Sequence, residues 1–176
     1  MALVYAELGT MRFDALAHAP IDLLENKVVL LGAAMMFAAI CFKLSIVPFH
    51  LWTADVYQGA PTPVTAFIAT AAKVGVLAVL ARYFAVENSY VANSLHLFVA
   101  VTAAASMLTG NVLALAQRDI KRLLAYSSIA HMGYLSVAFL ASGDTTNDAV
   151  AVYIAAYAAA TVGAFGVVIA VTPHSH

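Results

Sequence analysis

Two lysines and a histidine lie inside apolar sequence, where ionisable side chains are rare. Lys43 and His50 flank Pro48 in the stretch FKLSIVPFHLW, and Lys73 lies within the next apolar run. An ionisable residue inside a membrane span marks a proton or ion pathway by default. An amine held away from water can gain or lose a proton near neutral pH, whereas a guanidinium stays charged. The two lysines are therefore the first candidates for proton transfer.

The composition indicates that these residues belong to a membrane protein. Hydrophobic residues make up 64% of the chain, charged residues only 10%, and the net charge is −1, a balance typical of membrane proteins. The apolar runs approach or exceed the ~20 residues that cross a bilayer, and their pattern is continuous, unlike the alternation of a membrane barrel. We therefore predict an all-α, polytopic transmembrane helix bundle.

Five spans are predicted, with a short segment at each end. The spans are 28–57, 63–86, 95–116, 119–141 and 149–171. Residues 1–27 are interpreted as the end of a preceding helix followed by an external loop, without a secretory signal peptide. Residues 172–176 are interpreted as a truncated tail.

Several kinds of site are not expected in this chain. Cys41 is the single cysteine, so the chain has neither a disulfide framework nor a cysteine metal cluster. The sequence shows no glycine-rich phosphate loop, no metal-spaced histidine pair and no basic patch for nucleic acid. We expect no cofactor and no metal in this chain.

Loop charges suggest an orientation. The connection QRDIKR at 117–122 carries three cations, whereas SGDTTND at 142–148 carries two aspartates and no cation. The positive-inside rule places QRDIKR in the cytoplasm and, by counting spans, places residues 1–27 and the loop VENSYVANS outside. The cations are equally explained as part of an ordinary solvated turn.

Prolines mark two helix boundaries. Pro48 cannot donate to the preceding turn and crowds its carbonyl, so the first span is predicted to be interrupted there, with 49–57 as a short second half. Thr62 and Pro63 are predicted as the N-cap and first helical position of the second span.

The predicted spans place both lysines deep in the bilayer. Lys43 lies roughly 22 Å into a core about 30 Å thick, and Lys73 lies about 15 Å along its helix, near the midplane. Such a residue costs about 2.5 to 3.5 kcal/mol to insert. The alternative to a transport role is that either lysine pairs with a carboxylate on another helix or chain, although the nearest one, Asp55, is on the short half-helix.

Other polar residues are open to two interpretations. His50 titrates near neutral pH and can relay protons, but it can equally be a hydrogen-bonded packing residue. Ser127, His131 and Tyr134 share one helix face, which suits either a polar wire or ordinary bonding between helices.

Packing roles are predicted elsewhere. They apply to Thr102, Ser106 and Thr109 in the third span, to Trp52 and Tyr57 as part of an aromatic belt, and to the uncharged fifth span as scaffold.

Two long segments resemble a known family. FKLSIVPFHLWTADVYQGAPTPVTAFIATAAKVG and GNVLALAQRDIKRLLAYSSIAHMGYL closely resemble signatures of subunit N of bacterial NADH:quinone oxidoreductase, respiratory complex I, an antiporter-like membrane subunit. The resemblance runs from residue 1 to about residue 171. It implies a fold of two inverted helical repeats with a proton path at the membrane midplane, of which this chain supplies the seventh to eleventh helices.

The resemblance also implies roles for particular residues. Lys43 matches a proton-handling lysine on the broken seventh helix, and Lys73 matches the central lysine of the eighth. Lys121, Ser128 and His131 fall on the tenth helix, along the route between half-channels. The family's glutamate on the fifth helix and lysine on the twelfth have no counterpart here, so the chain is expected to be a fragment, a truncated gene product or part of a split subunit.

The implied function is proton translocation coupled to quinone reduction elsewhere in the complex. The complex uses FMN, iron–sulfur clusters and quinone in other subunits, and the expected partners are its other membrane subunits and the lipid of a bacterial inner membrane. Two alternatives stay open: a structural fragment that moves no ions, and a subunit of a related sodium/proton antiporter or membrane-bound hydrogenase.

Overall fold

Helices account for all the regular structure in the part of the chain that is described. The computed structural model describes residues 2–10, 26–84, 92–140 and 146–172. Its helices are α1 Ala2–Leu8, α2 Lys27–Leu44, α3 Leu51–Gly59, α4 Thr62–Ala69, α5 Ala71–Phe84, α6 Ala92–Leu115, α7 Ile120–Leu140 and α8 Thr146–Val171. Five segments are long and apolar enough to cross a membrane, with α4 and α5 together forming one of them. The predicted all-α bundle of five spans is confirmed.

Some predictions fall on other parts of the chain. Most of the loop at 86–94, most of residues 1–27 and 142–148, and the tail at 173–176 lie outside the described residues. The orientation in the membrane therefore stays a prediction.

The first span is broken as predicted. Helix α2 already ends at Leu44, before the position at which Pro48 would interrupt it. Helix α2 stops at Leu44, where Ser45 adopts a left-handed conformation with φ 64°. The amide of Ile46 then donates to Cys41 O at 2.9 Å, a bond typical of helix C-termini. Residues 45–50 form the turn that contains Pro48, and α3 begins at Leu51.

Side chains from other segments pair with the backbone groups that this break releases. The amide of Val47 donates to Ser106 Oγ on α6 at 2.9 Å, so Ser106, predicted only to pack, also stabilises the turn. Trp52 Nε1 donates to Phe42 O at 3.1 Å, and the two rings stack at 5.3 Å. A broken helix at membrane depth needs such partners, because lipid offers none.

The second span contains an interruption that the sequence did not predict. Thr70, with φ −111° and ψ −83°, separates α4 from α5. Its hydroxyl donates to Ala66 O at 2.6 Å, a bond to the preceding turn that often bends helices. The amide of Lys73 donates to Thr70 O at 3.0 Å, so Ala69 O is released from its usual helical partner.

The predicted start of this span needs one correction. Thr62 is the first residue of α4 and not its N-cap, and Pro63 is the second residue and not the first, because Pro61 occupies the cap position without a side-chain bond. The proline ring fixes a backbone angle compatible with entry into the helix. Thr65 instead ties the turn together, since its hydroxyl lies within 3.4 Å of three carbonyl oxygens, those of Tyr57, Ala60 and Pro61.

Helices α6 and α7 approach very closely. A Cβ added to Gly110 would lie 2.6 Å from Ala130 N, and one added to Gly133 would lie 2.8 Å from Ala103 O. Both obstacles are backbone atoms, so they cannot move aside cheaply. Small residues allow such close contact between membrane helices, and this contact holds α7 in register within the bundle.

Gly110→Ala is expected to destabilise the protein by about 1 to 3 kcal/mol, the usual cost of overpacking. Thermal unfolding of the assembled membrane protein in detergent measures this loss. Gly163→Ala is the matched control, because a Cβ there meets no atom within 4 Å. Equal melting temperatures for the two variants would contradict the close contact of α6 and α7.

Candidate functional site

Lys73 is enclosed by the bundle. Only 1% of the residue is exposed. Its amine donates to Ser128 Oγ at 2.8 Å and to Leu44 O at 3.3 Å, and it lies 6.0 Å from the centre of the Tyr57 ring. Leu44 is the last residue of α2, so the amine occupies the negative end of that helix dipole. The burial expected for Lys73 is observed.

A chain of hydrogen bonds runs from this amine to a second interrupted helix. Ser128 Oγ and Tyr157 Oη are 2.6 Å apart, and Tyr157 donates to Ala69 O at 3.0 Å. Because the phenol has one proton, Ser128 must be the donor to Tyr157. The order of donation is therefore Lys73, Ser128, Tyr157 and then the carbonyl that the kink at Thr70 releases.

The carbonyl oxygens at the two ends of this series of hydrogen bonds explain where the series lies. Leu44 O belongs to the C-terminus of α2, and Ala69 O belongs to the C-terminus of α4. Each interruption leaves carbonyls without helical partners, and a carbonyl buried without a donor is costly. Lys73 and Tyr157 supply those donors, so one network joins both broken spans.

His131 lies next to this network. Its Nδ1 is 2.8 Å from Tyr153 Oη, and its ring centre is 5.4 Å from that of Tyr157. Ser128 and His131 are one turn apart on α7, and Tyr153 and Tyr157 are one turn apart on α8, so two helix faces meet here. The structure thus brings three predicted residues, Lys73, Ser128 and His131, into one region.

Lys43 differs from Lys73 in its exposure. Its depth in the bilayer stays a prediction, but it lies in the last turn of α2 and is exposed on this chain. The reason is that no other described helix covers this face of α2, where Phe42 is also 51% exposed. Lys43 precedes Leu44, whose carbonyl oxygen accepts from Lys73 Nζ.

The carboxylate considered for Lys43 has another partner. Asp55 Oδ1 accepts from Arg122 Nη1 at 2.7 Å, and Gln58 Oε1 accepts from the same nitrogen at 2.9 Å. Within the described ranges, no ion pair joins Lys43 to a carboxylate. Both members of the Asp55–Arg122 pair are partly exposed, and such pairs add little stability, so this contact mainly positions α3 against α7.

Lys121 and His50 lie near the two ends of α3. Lys121 Nζ donates to Ala60 O at 3.0 Å, the residue that caps the C-terminus of that helix. His50 is the residue before Leu51, and its Nδ1 is buried without a hydrogen-bond partner among the described atoms. Neither forms a hydrogen bond with Lys73 in this structure.

Sequence reasoning missed two tyrosines of the site. Tyr57 was predicted to lie in an aromatic belt, but it is fully buried and packs edge-on against Phe165 at 6.1 Å. Tyr157 was included in a scaffold helix, but it links Ser128 to Ala69. The sequence does contain a signal for Tyr157: it repeats a tyrosine one turn after Tyr153, in a span without charged residues.

In the residues that the structure describes, no three His, Cys, Asp or Glu side chains are grouped so as to hold a metal ion. Cys41 is buried and has a free thiol. The groups gathered around Lys73 are an amine, hydroxyls, phenols and an imidazole, which are able to donate and accept hydrogen bonds.

Comparison with known proteins identifies the family. The family described as "NADH:quinone oxidoreductase/Mrp antiporter, TM" matches residues 1–176. The chain belongs to this family. Among relatives, NADH-quinone oxidoreductase subunit N of Ectopseudomonas mendocina is 50% identical over 99% of this chain, and that of Methylococcus capsulatus is 47% identical over 98%. The chain spans 35% and 36% of the length of those two proteins.

Solved structures of antiporter-like proteins have the same fold. A chain of respiratory complex I from Thermus thermophilus is 38% identical, with a TM-score of 0.72 over 95% of this chain and 35% of that one. A chain of an archaeal membrane-bound sulfane sulfur reductase is 25% identical, with a TM-score of 0.81 over 93% of this chain and 34% of that one. The Mrp complex of Dietzia sp. matches at 23% identity with a TM-score of 0.78 over 93% and 30%, a likeness of fold alone.

Proposed function

We propose that this chain forms part of the proton-translocating subunit N of a bacterial NADH:quinone oxidoreductase and handles protons at Lys73 and Lys43. Identity of 50% and 47% to named subunit N proteins supports this assignment. In this proposal the chain lies in the bacterial inner membrane beside the other membrane subunits of the complex. The FMN, the iron–sulfur clusters and the quinone site are assigned in this proposal to other parts of the complex, and no cofactor is assigned to this chain.

The observation that supports proton handling is the set of partners around Lys73. Its amine is buried, and its hydrogen-bond partners among the described residues are a hydroxyl and a carbonyl, both of which are neutral. A buried ammonium paired with a carboxylate would be held in its charged form. Without that pairing, the charged and neutral forms differ less in energy, so the proton can be gained and released.

Lys43 provides a means of control in this proposal. Lys43 precedes Leu44, whose carbonyl oxygen accepts from Lys73 Nζ at 3.3 Å. Because like charges repel, a proton on Lys43 favours release from Lys73, and loss of that proton favours uptake. Lys43 lies on a face of α2 that no described helix covers. A neighbouring segment of the full subunit can therefore contact it and alter its charge state.

Ser128 and His131 extend the route in the proposal. Ser128 bonds directly to Lys73. His131 packs beside Tyr157, with ring centres 5.4 Å apart, and its own hydrogen bond is to Tyr153 Oη at 2.8 Å. Lys121 and His50 are assigned to the ends of α3, where each can exchange protons outside the Lys73 network. These two assignments rest on the family resemblance and on the titration range of imidazole.

A related cation/proton antiporter is the alternative within the family. The higher identity to subunit N proteins, 50% against 23% for the Mrp structure, favours the oxidoreductase.

The test of proton handling is replacement of Lys73 in the assembled complex, with proton pumping measured alongside NADH oxidation. Unchanged pumping would favour a structural role that moves no ions.

A further inference from the structure

Ser128 has one hydrogen-bonding position left over. Its hydroxyl accepts from Lys73 Nζ at 2.8 Å and donates to Tyr157, 2.6 Å away. A hydroxyl has one proton and two acceptor positions. One acceptor position of Ser128 is therefore free of any described partner.

Tyr57 offers a donor beside that position. The residue is fully buried, and its hydroxyl has no hydrogen-bond partner among the described atoms. The Tyr57 ring centre lies 6.0 Å from Lys73 Nζ, the amine that donates to Ser128 Oγ at 2.8 Å, so the phenol and the Ser128 hydroxyl belong to one site. A buried hydroxyl without a partner is costly, so this one is expected to bond in another state of the site.

We propose that Tyr57 is a positioning residue that bonds to Ser128 when Lys73 is neutral, in exchange for the bond that Ser128 now makes to Tyr157. The inference rests on the proposed function, because it concerns the two protonation states of Lys73. It adds α3 to the proton-handling site, since Tyr57 is carried by that half-helix.

The exchange conserves hydrogen bonds. A neutral amine has a lone pair that needs a donor, and Ser128 is the hydroxyl already 2.8 Å from it. When the Ser128 proton turns towards Lys73, Tyr157 keeps its own bond to Ala69 O. Ser128 Oγ then accepts from Tyr57, and the unpaired hydroxyl gains a partner. No covalent bond is formed or broken in this rearrangement.

Tyr57→Phe in the assembled complex tests the proposal. The ring and its packing against Phe165 are retained, and only the hydroxyl is lost. Proton pumping is expected to fall about three- to tenfold, the effect of a single hydrogen bond, with normal assembly. In complex labelled with ¹³C-tyrosine, the infrared difference spectrum between resting and turnover states is expected to lose one phenol band in this variant.

Thr53→Val is the matched control. Thr53 is one turn before Tyr57 on α3, is fully buried, and also has a hydroxyl without a partner among the described atoms. Its replacement removes an unpaired hydroxyl from the same helix without altering Ser128. Pumping and the phenol bands are expected to stay at the wild-type level.

A double-mutant cycle shows whether Tyr57 acts through Ser128. In the Ser128→Ala background, Tyr57→Phe is expected to cause no further loss, because the bond it would remove cannot form. Additive losses would overturn the proposal, as would wild-type pumping and an intact phenol band in Tyr57→Phe. If Lys73 variants lose pumping while Tyr57→Phe does not, only this inference fails; if Lys73 variants keep pumping, the proposed function fails.

Discussion

Lys73→Met is expected to reduce proton pumping by the assembled complex by about tenfold or more, since loss of a proton-transfer group typically slows its step by about 10²- to 10⁴-fold. Methionine keeps much of the length of lysine and suits a buried site, so packing around residue 73 is largely retained. The amine and both of its hydrogen bonds are lost. Pumping is measured in sealed vesicles during NADH oxidation, with subunit content as the check on assembly.

The same substitution at Lys27 provides the control. Lys27 is exposed at the start of α2 and lies outside the hydrogen-bonded network. Lys27→Met is expected to pump at the wild-type rate. Lys73→Arg adds a second comparison, because a guanidinium keeps its charge but stays protonated at any physiological pH, so it is expected to pump as poorly as Lys73→Met. Wild-type pumping by both Lys73 variants would refute proton handling at this residue.

The sequence was sufficient to predict the fold and to single out Lys73, which the bundle encloses. Long apolar runs predict membrane helices because backbone groups in lipid must pair within their own helix, and a lysine within such a run is conspicuous. Pro48 predicted a broken first span for a sound physical reason. These predictions depend on local chemistry, which one stretch of sequence contains.

The errors concern properties that depend on contacts between helices. Thr70 is an ordinary residue in an apolar run, and its kink is stabilised when Tyr157, far along the chain, donates to Ala69 O. The burial of Tyr57 likewise depends on Phe165. Neither contact leaves a pattern in the neighbouring sequence, so propensity alone did not reveal them.

The difference between the two lysines has the same origin. Both lie in apolar runs, but Lys73 is enclosed because α2, α3 and α7 converge on it, whereas Lys43 is on a face that no described helix covers. The sequence gives the depth of a residue along its span. Which side of the helix other segments cover is a property of the assembled fold.

Ser128→Ala is expected to destabilise the protein by about 1 to 3 kcal/mol, the cost of leaving buried groups unpaired, and to reduce pumping severalfold. Alanine removes the acceptor of Lys73 and the donor to Tyr157 together. The two broken spans then lose the connection between Leu44 O and Ala69 O, so both the stability of the site and its ability to share a proton decrease. Thermal unfolding and pumping in the same preparation measure the two effects.

Two control variants separate the effect of losing the Ser128 hydroxyl from a general effect on α7. They are Ser136→Ala and Ser128→Thr. Ser136 is buried on the same helix, but its hydroxyl donates only to Met132 O of its own turn at 2.8 Å, so its loss is expected to leave pumping unchanged. Threonine at 128 keeps the hydroxyl and is expected to restore most of the pumping. If Ser128→Ala pumps as well as Ser136→Ala, the hydrogen-bond network does not carry protons, and the amine of Lys73 must exchange them by a route that bypasses Ser128.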